Sequence, residues 1–271
     1  MTTLTHITSD SVTMLRRNLL HMIRYPALTV FLVGAPVVFL LLFVFVFGGT
    51  LGAGLPGGGA VGAGGGAATD YLNYLVPGLL LLTVGGGVAG TAAISVAMDM
   101  TEGIVARFRT MAISRTAVLT GHVLGTVIQG MLAVVLIVGV ALLLGFRPTA
   151  GILGWLGAIV TLIVVSLAVA QLAVAMGIAS RTVETASNLP TIILILPMLG
   201  SGFVPTASMP EWLQGFAQWQ PFTPFIETVR GLLFGTELGI YPWLTVGWSV
   251  VIWVVGYAWA RYLYERRSVV R

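Results

Sequence analysis

The sequence predicts an all-α polytopic membrane protein with six transmembrane helices, an N-terminal interfacial helix, a short charged cytoplasmic helix and a re-entrant helical hairpin in the outer leaflet. Three observations carry that prediction. Of the 271 residues 57% are hydrophobic and 8% charged, with a mean hydropathy of +1.00. Long runs hold no ionisable side chain, so the bilayer must supply the solvent for this surface. The arginines, finally, fall almost entirely in alternate loops. We treat residues 1–271 as a single transmembrane domain.

Met1 to Ser11 is polar, and the first apolar run continues too long for a signal peptide, so none is expected. Over residues 10–25, Val12, Leu15, Leu19, Met22 and Ile23 recur at helical spacing, with Arg17, His21 and Arg24 on another face. This pattern predicts a helix lying on the inner leaflet, and the alternative is a frayed polar tail.

A crossing helix needs about 20 apolar residues to traverse about 30 Å of hydrocarbon. Residues 27–47, 71–97, 116–144, 151–179, 188–203 and 241–262 meet that need, the fifth only marginally. With six crossings, Arg16, Arg17, Arg24, Arg107, Arg109, Arg115, Arg181, Arg261, Arg266, Arg267 and Arg271 share one side. Arg147 and Arg230 lie on the other, with Asp70, Glu211, Glu227 and Glu237, so both termini are expected in the cytoplasm.

Between the first two crossings, residues 48–69 are half glycine and uncharged. They predict a flexible external loop, with no strand, following helix or basic residue to make a phosphate cradle. Residues 99–115 differ. Asp99 and Glu102 open the segment and Arg107, Arg109 and Arg115 close it, which matches the dipole of a short helix. Ile104, Val105, Phe108 and Met111 would form its apolar face. An exposed Phe flanked by arginines suits a groove in a cytosolic protein; the alternative is an inner-leaflet helix that obeys charge topology.

The fifth crossing is short, since about 16 residues rise only about 24 Å. Residues 204–240 follow as two helical stretches, the first opening near Ser208 and Pro210, the second with Thr223 as N-cap, Pro224 next and Gly235 as the stop. Trp212, Phe216, Trp219, Phe222, Phe225, Leu232 and Phe234 suit the outer headgroup boundary.

Several chemistries are excluded or unsupported. All thirteen basic residues are arginine, so the chain has no P-loop lysine and no Schiff-base lysine. This composition also fits a GC-rich bacterial genome. There is no cysteine, and His6, His21 and His122 fit no metal spacing, so no metal, cofactor or catalytic residue is assigned. The uncharged Thr83, Thr91, Ser95, Gln129, Thr161, Ser166 and Gln171 inside the crossings are expected to bond neighbouring helices. Gly86/Gly90, Gly121/Gly125 and Ala173/Gly177 predict close helix packing, while Pro36, Pro190 and Pro197 predict kinks.

On the run spelled by Glu102, Gly103, Arg107, Arg109, Ile113, Ser114 and Arg115, and on MPEWLQGFAQWQPFTPFIETVRGLLFG, the chain resembles the membrane subunit of a type-2 ABC exporter, near the daunorubicin-resistance permeases. The resemblance implies that Glu102 to Met111, with Phe108, is a coupling helix docking on a separate ATPase subunit. It also implies that Leu15 to Arg24 is a gate or connecting helix. Ala112 stands where many relatives carry proline. Two copies of the chain and two ATPase subunits, which bind ATP and Mg, would export a drug, secondary metabolite or lipid across a bacterial cell membrane. Nucleic acid has no part in it. The rival classes are a lipid-modifying membrane enzyme, which needs an acid–base or metal constellation, and an ion-coupled carrier, which needs a membrane-embedded charge.

Overall fold

The structure is a computed structural model describing residues 26–48, 67–101 and 115–269. All its regular elements are helical among these residues. Helix α1 (Pro26–Leu42) widens into a π-helical turn at Phe43–Phe47. Helix α2 (Ala67–Leu82) passes through a second π-helical turn (Thr83–Val88) into α3 (Ala89–Thr101). The long helices α4 (Arg115–Leu143) and α5 (Ile152–Ala179) precede two short ones, α6 (Val183–Asn188) and α7 (Thr191–Met198). A 3-10 turn at Thr206–Ser208 leads to α8 (Glu211–Trp219), α9 (Phe222–Phe234) and the final α10 (Tyr241–Val269).

Among the described residues, four stretches are long and apolar enough to cross a bilayer: Thr69–Thr101, Thr120–Leu143, Ile152–Ala179 and Tyr241–Leu263. Shorter apolar helices, Leu32–Phe47 and Val183–Met198, occupy the places of the predicted first and fifth crossings. The fifth differs from expectation. Rather than one helix over 188–203, the chain makes α6, breaks at Leu189 and Pro190, and restarts as α7. Proline lacks the amide that would continue the α6 ladder, yet its fixed φ suits a helix start.

The core centres on the run from α2 to α3 and on α5. Tyr71, Leu72, Leu75, Val76, Leu79, Leu81, Val84, Val88, Ala92 and Ala93 are each at most 1% exposed. Helix α5 packs against α10, α3, α9 and α4 and is the hub of the bundle. Glycines set its closest approaches. A Cβ on Gly177 would lie 2.6 Å from Ala93 O on α3, and one on Gly256 of α10 would lie 2.7 Å from the Leu172 amide nitrogen, so backbones meet directly. The small-residue pair Ala173/Gly177 therefore does what its spacing predicts.

Helices α8 and α9 treat their aromatic residues in opposite ways. On α8, Trp212, Phe216 and Trp219 form one exposed face at 80%, 50% and 61%. On α9, Phe222 and Phe225 are buried at 1% and 0%, which corrects the expectation that they face the headgroups. Pro221, rather than Thr223, stands at the N-cap of α9, and Gly235 ends the helix in the left-handed region at φ 67°, where glycine alone is unstrained.

Candidate functional site

The run from α2 to α3 carries three features: a polar tie at each end and an apolar groove between them. The predicted contact segment leaves its α3 end. Glu102, Gly103, Arg107, Phe108, Arg109, Ile113 and Ser114 lie outside the described residues, as do the interfacial residues Arg16, Arg17 and Arg24. Arg115 is the first residue of α4. The structure thus shows the two stems, α3 and α4, to which that segment is joined.

Those stems are bonded to each other. His122 Nε2 on α4 lies 3.0 Å from Asp99 Oδ2 on α3, with side chains 6% and 10% exposed. The other ring nitrogen, Nδ1, lies 3.4 Å from Ser95 Oγ, one turn back along α3. Asp99 and Ser95, at i and i−4, share one face. The imidazole is therefore held at both nitrogens by a single helix face. In outline this is a Ser–His–Asp line, but it lacks the rest of a hydrolase. Ser95 Oγ donates to Ala92 O at 3.1 Å, and the α3 amides are committed to their own ladder, leaving none to stabilise an oxyanion. The sequence could have signalled the pair: both residues sit at crossing ends next to the same charged segment. Motif spacing missed it because the partners are 23 positions apart.

At the α2 end the tie is built on Arg230 of α9. Its Nη2 donates to Ser201 O at 2.8 Å and to Tyr74 O at 3.1 Å, Nη1 donates to Glu227 Oε1, and the guanidinium carbon lies 3.9 Å from the Tyr74 ring centroid. Tyr74 Oη donates to Ser201 O at 2.8 Å, and Tyr71 Oη to Phe203 O at 3.3 Å. Residues 199–205 follow α7 without regular structure, so their carbonyls need such donors. Nearby, Thr223 Oγ1 accepts from Ser201 N and Gln220 Nε2 and donates to Ala217 O, closing the turn between α8 and α9. Among the described residues, Arg230 Nε and Asp70 Oδ1 are buried without a hydrogen-bond partner.

Between the ties lies a groove of about 330 Å³ whose walls are α1, the run through the second π turn into α3, and Leu194 of α7. Its sequence cause is TVGGGV and the Gly90 that follows: three successive glycines disfavour a regular helix, and Gly86, Gly87 and Gly90 present no Cβ to the groove. A Cβ on Gly86 would lie 2.1 Å from Leu194 Cδ1, and one on Gly87 2.2 Å from Leu32 Cδ1, so these two glycines admit neighbouring side chains. Gly90 has nothing within 4 Å of its Cβ position. Of the predicted pair Gly86/Gly90, the first is a packing contact and the second faces the open groove.

The groove's hydroxyls are turned away from any guest. Thr83 Oγ1 donates to Leu79 O and Thr91 Oγ1 to Gly87 O, both at 2.8 Å within their own helix. Thr161 does the same to Gly157 O. For these three threonines this corrects the expectation of bonds to neighbouring helices, which Ser95 meets through His122: a threonine hydroxyl in an apolar helix can find its acceptor in the carbonyl one turn back.

With this geometry in place, comparison with known proteins decides the family. The model of the ABC-2 type transporter family matches residues 10–234. The chain belongs to that family. This ABC-2 chain is 30% identical over 229 residues to the daunorubicin resistance ABC transporter permease protein DrrB1 of Streptomyces coeruleorubidus, covering 84% of this chain and 76% of that one. It is 23% identical over 178 residues to the probable doxorubicin resistance ABC transporter permease protein DrrC of Mycobacterium tuberculosis, covering 65% and 63%. It is 22% identical over 225 residues to the inner membrane transport permease YadH of Escherichia coli, covering 82% of each. These relatives are named as transporter permeases rather than enzymes, and the ABC-2 chain is an integral membrane protein.

Proposed function

We propose that this chain is the permease subunit of an ATP-binding cassette exporter that moves an amphipathic or hydrophobic substrate out of the cytoplasm or inner leaflet of a bacterial plasma membrane. The observation that carries the reading is the family match over residues 10–234 in a sequence without a single lysine. Such a chain needs a separate subunit to bind ATP and Mg. Two permease copies pair with two of these ATPase subunits, with both termini in the cytoplasm. Helix α1 and the α6–α7 pair complete six crossings as the shorter members.

In this reading the segment 102–114 docks on the ATPase, and closure of the ATPase subunits reaches the bundle through α3 and α4. The substrate path runs along the groove beside the second crossing, near Leu194 of the fifth. An apolar wall suits a drug, a secondary metabolite or a lipid. Trp212, Phe216 and Trp219, on the exposed face of α8, meet the outer headgroups, where amphipathic rings collect.

The reading is tested by purifying the chain gently from its native membrane. An ATP-hydrolysing subunit at equal stoichiometry is expected. Phe108→Ala, or Arg107→Ala with Arg109→Ala, is expected to leave the bundle folded and to uncouple transport from ATP hydrolysis. Unchanged coupled transport in both variants, or transport by the chain alone, refutes the reading.

A further inference from the structure

The geometry points to Asp99 and His122 as a positioning pair for transport: a clip that makes α3 and α4, the two stems of the segment 102–114, move as one body. The inference rests on the permease reading above.

Apolar burial between two helices is non-directional, so it fixes their register less sharply than a directional contact does. A buried hydrogen bond is different, since it is short-ranged and directional, and stretching it by an ångström forfeits most of its energy. At 6% and 10% side-chain exposure, water cannot readily take the place of either partner. The clip also resists rotation. His122 is gripped at Nε2 by Asp99 and at Nδ1 by Ser95, one turn apart along α3, so both the height and the azimuth of α4 against α3 are set.

The placement matches the task. Asp99 lies two residues before the end of α3 at Thr101, and His122 lies two turns into α4. Helix α3 is itself well anchored, with Gly177 of α5 against Ala93 and with α6 packed alongside. By comparison, α3 packs far less extensively on α4 than on α5. The polar clip therefore stands where apolar packing alone would fix the register least. A push delivered at 102–114 reaches the bundle through both stems together, rather than being dissipated as slippage between them.

The experiment uses the permease with its ATPase subunit in proteoliposomes and reads transport per ATP hydrolysed, with thermal stability and subunit co-purification alongside. Asp99→Ala and His122→Ala are each expected to lower transport per ATP about tenfold while the ATPase subunit stays bound. The double variant should be no worse than either single one. Asp99→Asn keeps an oxygen to accept from Nε2–H and is expected to stay within about twofold of the parent. If Asp99→Ala does not accumulate, His122→Phe removes both nitrogens at similar bulk and is expected to show the same loss. Unchanged transport per ATP in these variants, losses that multiply in the double variant, or failure of Asp99→Asn to retain coupling overturns the clip. A parent protein without ATP-dependent transport overturns the permease reading instead, and the clip with it.

Discussion

The two ends of the run from α2 to α3 are tied by different chemistry. At the α2 end, Arg230 reaches into an irregular stretch and donates to the carbonyls of Ser201 and Tyr74, with Glu227 beside it. At the α3 end, His122 and Asp99 join two regular helices, side chain to side chain. The first tie satisfies a broken backbone, so it holds structure together. The second answers no backbone need, and its effect is to set register. Stability and coupling should therefore separate between the ends.

The largest effect on stability is expected at the α2 end. Arg230→Leu leaves Glu227 without its cation and takes one donor each from the carbonyls of Ser201 and Tyr74, and should cost about 3 kcal/mol. Thermal unfolding in detergent checks it, and a loss no larger than that of His122→Phe would erase the distinction drawn here. Gly78→Ala comes next: its Cβ would lie 2.3 Å from Gly202 O, a backbone atom that cannot swing aside, at a cost of about 1–3 kcal/mol.

Between the ties the expected effect passes from stability to transport. Gly90→Leu enters open space, so unfolding should shift by less than about 0.5 kcal/mol while transport of bulky substrates falls, which a flux assay on the reconstituted transporter would detect. Full flux with the groove filled would remove it from the path. The smallest effect is expected from Ser95→Ala, within about 0.5 kcal/mol, because that hydroxyl makes the longer of the two bonds to the imidazole and its removal leaves the Asp99 bond intact. The same unfolding assay measures it.

Much of the architecture was legible because it follows from composition and period. Predicted 151–179 became Ile152–Ala179, and 116–144 became Arg115–Leu143, since an uninterrupted apolar run of that length has one stable form in hydrocarbon. Gly235 was legible as a stop for the same local reason. The fifth crossing was legible in part: the interruption expected at Pro190 is there, but the bounds 188–203 missed that the chain makes two short helices, α6 and α7. Burial of Phe222 and Phe225 was hidden because an aromatic residue pattern does not say whether protein or headgroup receives it. The groove was out of reach, and the Asp99–His122 pair was signalled only by the place of both residues at crossing ends beside the charged segment. Each is made by residues far apart in sequence, and no local spacing encodes which helices become neighbours. The loop residues from Glu102 to Ser114 lie outside the described residues.

The inward-turned hydroxyls of Thr83 and Thr91 have a consequence for what the protein can tell apart. With their protons given to Leu79 and Gly87, the wall has no spare donor to strand when a guest lacks an acceptor. Such a wall sorts molecules by girth and oiliness. One methylene more or less is worth only about 1–3 kcal/mol in an apolar pocket, and a hydroxyl on an otherwise identical guest is discriminated weakly. On the permease reading proposed above, promiscuity toward apolar guests is the behaviour expected of this surface.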